Sequence, residues 1–200
     1  MTLTLKETLQ RLQTTDFEAL PKPRKNKGVR GQLLELALGI PNSSKLTDLV
    51  DGELKSYTKG ESVAVTQLRH TLPEILDFTS YKYFSSKFDG FVSTKLGQKL
   101  YNTIYVAFDR NNNYLGTKVY EGNNKLIESD YWDICYYISE TYEERKTLHT
   151  YTGRNGILQI RTTDSKDKNG NYHPIKWKGH QLSDKGFAFY LTGRYAKTIV

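Results

Sequence analysis

The stretch Asp48-Leu49-Val50-Asp51-Gly52-Glu53-Leu54-Lys55 decides the reading of this chain. With Ser56 and Tyr57 it predicts a strand over residues 48–57, in which Leu54 alternates with Glu53 and Lys55. Successive strand side chains point to opposite faces, so Glu53 and Lys55 project together to one side. Two further carboxylates, Asp48 and Asp51, stand immediately upstream.

Upstream, residues 31–39 (GQLLELALG) predict a helix that is nearly apolar all round and therefore buried. Glu35 is an acid among those leucines. It either leaves the helix edge for solvent or faces a polar cavity in which a metal compensates its charge. Leu5, Leu9 and Leu12 recur at helical spacing within residues 4–20, and Pro21 closes that segment. The run Pro21-Lys22-Pro23-Arg24-Lys25-Asn26-Lys27-Gly28 is a basic loop, either a solvated linker or a phosphate contact.

Downstream, strands are predicted at residues 62–66, 103–109, 114–120 and 157–162, with a turn at 110–113. A helix is predicted over residues 129–147, with Trp132, Cys135 and Tyr136 along one side, and a charged loop over 165–171. Strands in the middle and helices around them predict an α+β fold with a mixed central sheet. The length of 200 residues fits one domain, divided approximately into lobes 1–120 and 121–200.

The formal net charge is +7 and the pI about 9.3, which favours polyanionic partners without proving nucleic acid. A lone cysteine, Cys135, excludes an internal disulfide and a Cys-rich zinc site, and its apolar neighbours predict a buried, inert thiol. No apolar run is long enough to span a bilayer and the N-terminus lacks a signal-peptide core, so a cytoplasmic protein without membrane contact is expected. Gly116 and Gly122 follow no phosphate-loop spacing, which argues against a nucleotide cofactor. His70, His149, His173 and His180 fall in no metal-ligand spacing.

An acid, a short gap and then Glu-X-Lys suits metal-assisted phosphodiester hydrolysis. Two carboxylates can hold Mg²⁺, a hard cation that prefers oxygen ligands and keeps several waters. Lys55, on the face of Glu53, can orient the attacking water and stabilise charge on the phosphate. The string by itself is common on solvated strands. Its setting after an acid-bearing buried helix is what raises its weight.

These segments together resemble the MutH family, which joins the mismatch-repair nickase MutH to restriction endonucleases of the same fold. The resemblance rests on Lys27-Gly28-Val29-Arg30-Gly31-Gln32-Leu33-Leu34-Glu35, then Ser44-Lys45, then Asp48 through Lys55. It resumes at Lys99-Leu100, at Gly156-Ile157-Leu158-Gln159-Ile160-Arg161, at Gly186-Phe187 and at Phe189-Tyr190-Leu191. It implies a restriction-endonuclease-like fold with a DNA cleft between a catalytic and a recognition lobe. It implies Asp48 and Glu53 as metal carboxylates, Lys55 as the catalytic lysine, Glu35 as the helix-borne acid of the same site and Lys99 as a lysine near it. Arg161 and Tyr190 match residues close to the recognised base. The gap from Asp48 to Glu53 is shorter than in MutH, so Asp51 competes with Asp48, which is preferred because it follows Ser44-Lys45 at the family's position.

The expected function is therefore a Mg²⁺-dependent type II endonuclease acting on double-stranded DNA at GATC or another short site. The competing readings are a mismatch-repair nickase and a DNA-binding module with a decayed site. Whether two copies meet on DNA stays open. The segment Tyr172-His173-Pro174-Ile175-Lys176-Trp177-Lys178-Gly179-His180 pairs cations with an aromatic and is expected to contact DNA.

Overall fold

In a computed structural model the described residues are 2–21, 27–41, 45–76, 90–163 and 166–200. In chain order they form α1 (Leu5–Thr14), α2 (Lys27–Ala37), β1 (Glu53–Thr58), β2 (Val63–Gln67), α3 (Leu68–Leu76), a 3-10 turn (Gly90–Ser93), α4 (Lys95–Tyr101), β3 (Asn102–Phe108), β4 (Tyr114–Glu121), α5 (Lys125–Glu143), β5 (Tyr151–Thr152), β6 (Leu158–Thr162), β7 (Ile175–Trp177), β8 (His180–Ser183), β9 (Phe187–Leu191) and α6 (Gly193–Ile199). The fold is α+β. Two compact units interleave along the chain: residues 1–63, 98–123 and 193–200 form one, and 64–97 and 124–192 the other. The contacts thus do not divide into consecutive pieces near residue 120, because β2 joins a sheet with β9 and the C-terminal helix returns to the first unit.

In the first unit β1 pairs parallel with β3, and β3 antiparallel with β4. The central strand β3 is buried on both faces, which is why its sequence, Asn102-Thr103-Ile104-Tyr105-Val106-Ala107-Phe108, reads as an almost continuous apolar run. Leu54, Ile104, Val106 and Phe108 share a core with Leu5 and Leu12 of α1 and Leu34 and Leu38 of α2. Helix α1 starts at a capping box, in which the Thr4 hydroxyl accepts the Glu7 N–H and the Glu7 carboxylate accepts the Thr4 N–H. Helix α2 begins earlier than its apolar pattern indicates: residues 27 and 28, expected in the basic loop, are its first turn, while residues 22–26 lie outside the described residues.

Strand β1 starts at Glu53, not at Asp48. Residues 48–52 are a bent lead-in in which the Leu49 N–H donates to the Gly52 carbonyl at 3.0 Å. Gly52 permits this approach, since a Cβ there would lie 2.5 Å from the Asn102 carbonyl oxygen on β3. The glycine thereby sets the register that places Glu53 opposite Thr103.

The second unit holds a four-stranded sheet in the order β2-β9-β6-β5 and the hairpin β7-β8. Helix α5 lies against β5, β6 and β8. Its buried stripe is Ile127, Tyr131, Ile134, Cys135 and Ile138, and Trp132 and Tyr136 lie outside it, next to Cys135 at the helix's more exposed edge. Tyr136 is 69% exposed. Burial pushes the Cys135 thiol up, in keeping with an inert side chain. Asp130, also on α5, is fully buried and accepts four hydrogen bonds from the turn that leads into β6.

Candidate active site

Glu53 opens β1 with a fully buried side chain. Its Oε1 forms ion pairs with Lys55, two residues along the same strand, and with Lys99 at 2.9 Å. Its Oε2 accepts the Asp48 N–H at 3.1 Å. A buried carboxylate without such partners would be strongly destabilising, and here both oxygens are compensated. Lys99 comes from the last turn of α4, whose end is tied to β3 by the Thr103 hydroxyl donating to the Lys99 carbonyl at 3.0 Å.

Asp48 sits outside the strand but belongs to the same cluster. Its Oδ2 accepts the Leu54 N–H at 3.4 Å. Burial and the neighbouring Glu53 charge raise its carboxyl above the usual range, while Lys55, Lys99 and the Leu54 amide pull the other way. Glu35 of α2 is half-buried rather than solvated. Burial first and the Asp48 charge second raise its carboxyl, with Glu53 adding to the effect and Lys55 opposing it. Three carboxylates are thus near one another, Lys55 acting on all three and Lys99 on Glu53 and Asp48, and the set is short of positive charge.

Asp51 is committed elsewhere. Its Oδ1 accepts the Leu5 N–H at 2.7 Å, where a carboxylate meets the positive end of α1. Asp48, in contrast, has a carboxylate that feels Glu53 and Glu35.

Among the described residues, no group of three or more His, Cys, Asp or Glu side chains is gathered closely enough to hold a metal ion by itself. The full convergence expected for Asp48, Glu53 and Glu35 is thus not what the structure displays. The donor set nevertheless fits Mg²⁺ chemically. All three donors are carboxylates, the cluster is under-neutralised, and Mg²⁺ needs only one or two protein carboxylates because it keeps its waters.

Arg30 positions α2. Its side chain is 6% exposed, donates to Asn112 Oδ1 and Thr58 Oγ1 at 3.1 Å each, and lies 4.8 Å from the Phe108 ring centre. In the sequence it reads as one more cation near a basic loop, and nothing in that stretch marks it as buried.

In the second unit Arg161 on β6 and Tyr190 on β9 come together, the guanidinium carbon 4.2 Å from the ring centre. The histidine- and lysine-bearing segment forms the β7-β8 hairpin, with Lys178 Nζ 5.6 Å from the Trp177 ring. Beside it Lys166 and Lys185 both lie over Tyr172, at 4.7 and 5.3 Å. Ser165, part of the charged loop expected from the sequence, lies outside the described residues.

The model of the MvaI/BcnI restriction endonuclease family matches residues 7–174, and the chain belongs to that family. It is a type II site-specific DNA endonuclease. The match contains Glu35, Asp48, Glu53, Lys55, Lys99 and Arg161 and ends before Tyr190. The restriction-endonuclease content of the sequence resemblance is therefore what the family match states, while MutH is not part of its description. No curated protein matches the chain significantly. Among the described residues, no helix is long and apolar enough to cross a membrane.

Proposed function

We propose that this enzyme hydrolyses phosphodiester bonds of duplex DNA at a short site with Mg²⁺, and that Asp48, Glu53, Lys55, Glu35 and Lys99 form its active site. The observation that carries the proposal is the buried Glu53 carboxylate, held by Lys55, Lys99 and the Asp48 amide, with Glu35 and Asp48 raised beside it. Asp48 and Glu35 are the carboxylates with charge to spare for a cation, and Glu53 is the anchor around which they are arranged. Mg²⁺ bound there supplies Lewis acidity to phosphoryl transfer.

The chain's own residues do the rest. Lys55 Nζ, 18% exposed at the side chain, can leave one lobe of the Glu53 carboxylate to orient a water or to donate to a phosphate oxygen. Lys99 keeps Glu53 neutralised while Lys55 does so, because both ammonium groups share the same Oε1. Arg161, with its guanidinium carbon over the Tyr190 ring, is placed to present its fork of donors to a base edge, the geometry suited to guanine. GATC is the first site to test, on the resemblance of Arg161 and Tyr190 to base-proximal residues in MutH.

The test is digestion of unmethylated and GATC-methylated plasmid with Mg²⁺ or EDTA, followed by sequencing of the ends. Discrete double-strand fragments in Mg²⁺ alone are expected, and the ends define the site. Nicking that requires an accessory protein and a hemimethylated substrate would favour the repair reading. Salt-sensitive duplex binding without cleavage would favour a DNA-binding module.

A further inference from the structure

The sheet β2-β9-β6-β5 has one apolar and one polar face. On β6, Leu158 and Ile160 are fully buried, and on β9 so are Phe189 and Leu191. Alternation puts Gln159 and Arg161 on the opposite face of β6, and both are half-buried. The antiparallel register sets Gln159 directly across from Tyr190, and Arg161 across from Ala188. Ala188 is small, so the Arg161 side chain can cross diagonally to stack on Tyr190 at 4.2 Å. On the other flank Gln159 is paired with Thr152 of β5. Gln159 is therefore at the centre of a polar patch whose other members are Arg161, Tyr190 and Thr152.

We propose that Gln159 is a specificity-determining residue that reads an adenine in the recognised duplex. This rests on the reading that Arg161 and Tyr190 face the bases. Glutamine carries one acceptor and two donors on a planar amide, which matches the N6–H donor and N7 acceptor of adenine in the major groove and no other base edge equally well. Residues two apart on a strand are about 6.8 Å apart. That equals two steps of about 3.4 Å along one DNA strand, so β6 can present Arg161 and Gln159 to different base pairs of one site. The backbone of Gln159 is held in place, because its strand is pinned on both sides by ladder pairing and at its start by Asp130.

The experiment uses duplexes carrying the site mapped by the wild-type enzyme, with every single base-pair change, and in parallel 7-deazaadenine at each adenine. Wild type, Gln159→Ala, Gln159→Met and Arg161→Ala are compared by single-turnover cleavage. Discrimination at one A·T pair should fall roughly 10-fold or more in both Gln159 variants, the scale of one bidentate base contact. 7-Deazaadenine at that same position should slow the wild type by a similar factor and leave the Gln159 variants no slower. The result that overturns the proposal is unchanged discrimination at every position in both variants, or a uniform loss at all of them. Arg161→Ala separates the two levels. If it relaxes a position while the Gln159 variants relax none, the sheet face reads bases and Gln159 does not. If neither residue alters discrimination, the reading of that face as the base-contacting one falls as well.

Discussion

Replacing Asp130 by asparagine should destabilise the second unit severely without touching the acid-lysine cluster. Asp130 is fully buried. Its Oδ1 accepts the Asn155 N–H and side-chain amide at 2.7 and 2.9 Å, and its Oδ2 accepts the Ile157 and Leu158 N–H groups at 2.8 and 2.9 Å. Asparagine keeps the shape but has one oxygen, so whichever way the amide turns, an NH₂ faces two N–H donors. Two hydrogen bonds to a charged group at about 1.5–3 kcal/mol each give a loss of about 3–6 kcal/mol. That is a large part of an ordinary domain stability of about 5–15 kcal/mol. With a urea slope of about 2 kcal/mol/M, the midpoint should fall by about 1.5–3 M. Both tryptophans, Trp132 and Trp177, lie in this unit, so their fluorescence reports its unfolding. Hydrogen exchange should show the Ile157 and Leu158 amides deprotected first. A midpoint within about 0.3 M of wild type at unchanged slope would refute the reasoning, since it would mean the four bonds contribute almost nothing net.

Glu35→Gln should separate stability from activity. Glu35 holds its proton more tightly in the fold than in the unfolded chain, so its ionisation costs stability. That cost is absent well below the usual carboxylate value and grows as pH rises through that value to the raised one. In EDTA the variant should match wild type near pH ~4 and melt higher near pH ~8, while cleaving more slowly in Mg²⁺; a lower melting temperature at the higher pH would contradict this. Asp51→Asn should weaken the start of α1 by about 1 kcal/mol in urea unfolding and leave Mg²⁺-dependent cleavage in place, whereas Asp48→Asn should lose cleavage with folding intact. Arg30→Lys cannot span both Asn112 and Thr58 and should cost about 1.5–3 kcal/mol of stability, read by thermal and urea unfolding.

Much of this molecule was legible from local pattern. The buried run of residues 103–108 and the alternation of Glu53 and Lys55 each declare their element through a single period, whereas α2, read as apolar all round and buried, leaves Leu36 74% exposed. What stayed hidden depends on distant pairing. Helix α3 was missed because Pro73 lies inside it and the preceding strand runs straight into it at Leu68. Helix α4 has seven residues, too few to show a period. Asp130 reads as an ordinary helix-surface acid, and only the turn of residues 153–158 coming back onto α5 makes it a buried clamp. At the candidate site the sequence singled out Glu53, Lys55, Lys99 and Asp48, which the structure brings together, but not their bonding. That Asp51 belongs to the start of α1, and that Glu53 holds two lysines at once, follow from contacts between segments 46 residues apart in the chain.

The most direct test of the central claim is single-turnover cleavage of a duplex bearing the mapped site by wild type and Lys55→Ala, with binding measured in Ca²⁺. The account predicts that Lys55→Ala binds the duplex as tightly as wild type and cleaves it at least about 100-fold more slowly in Mg²⁺. Cleavage by Lys55→Ala at the wild-type rate would contradict it and place the chemistry away from the Glu53 cluster.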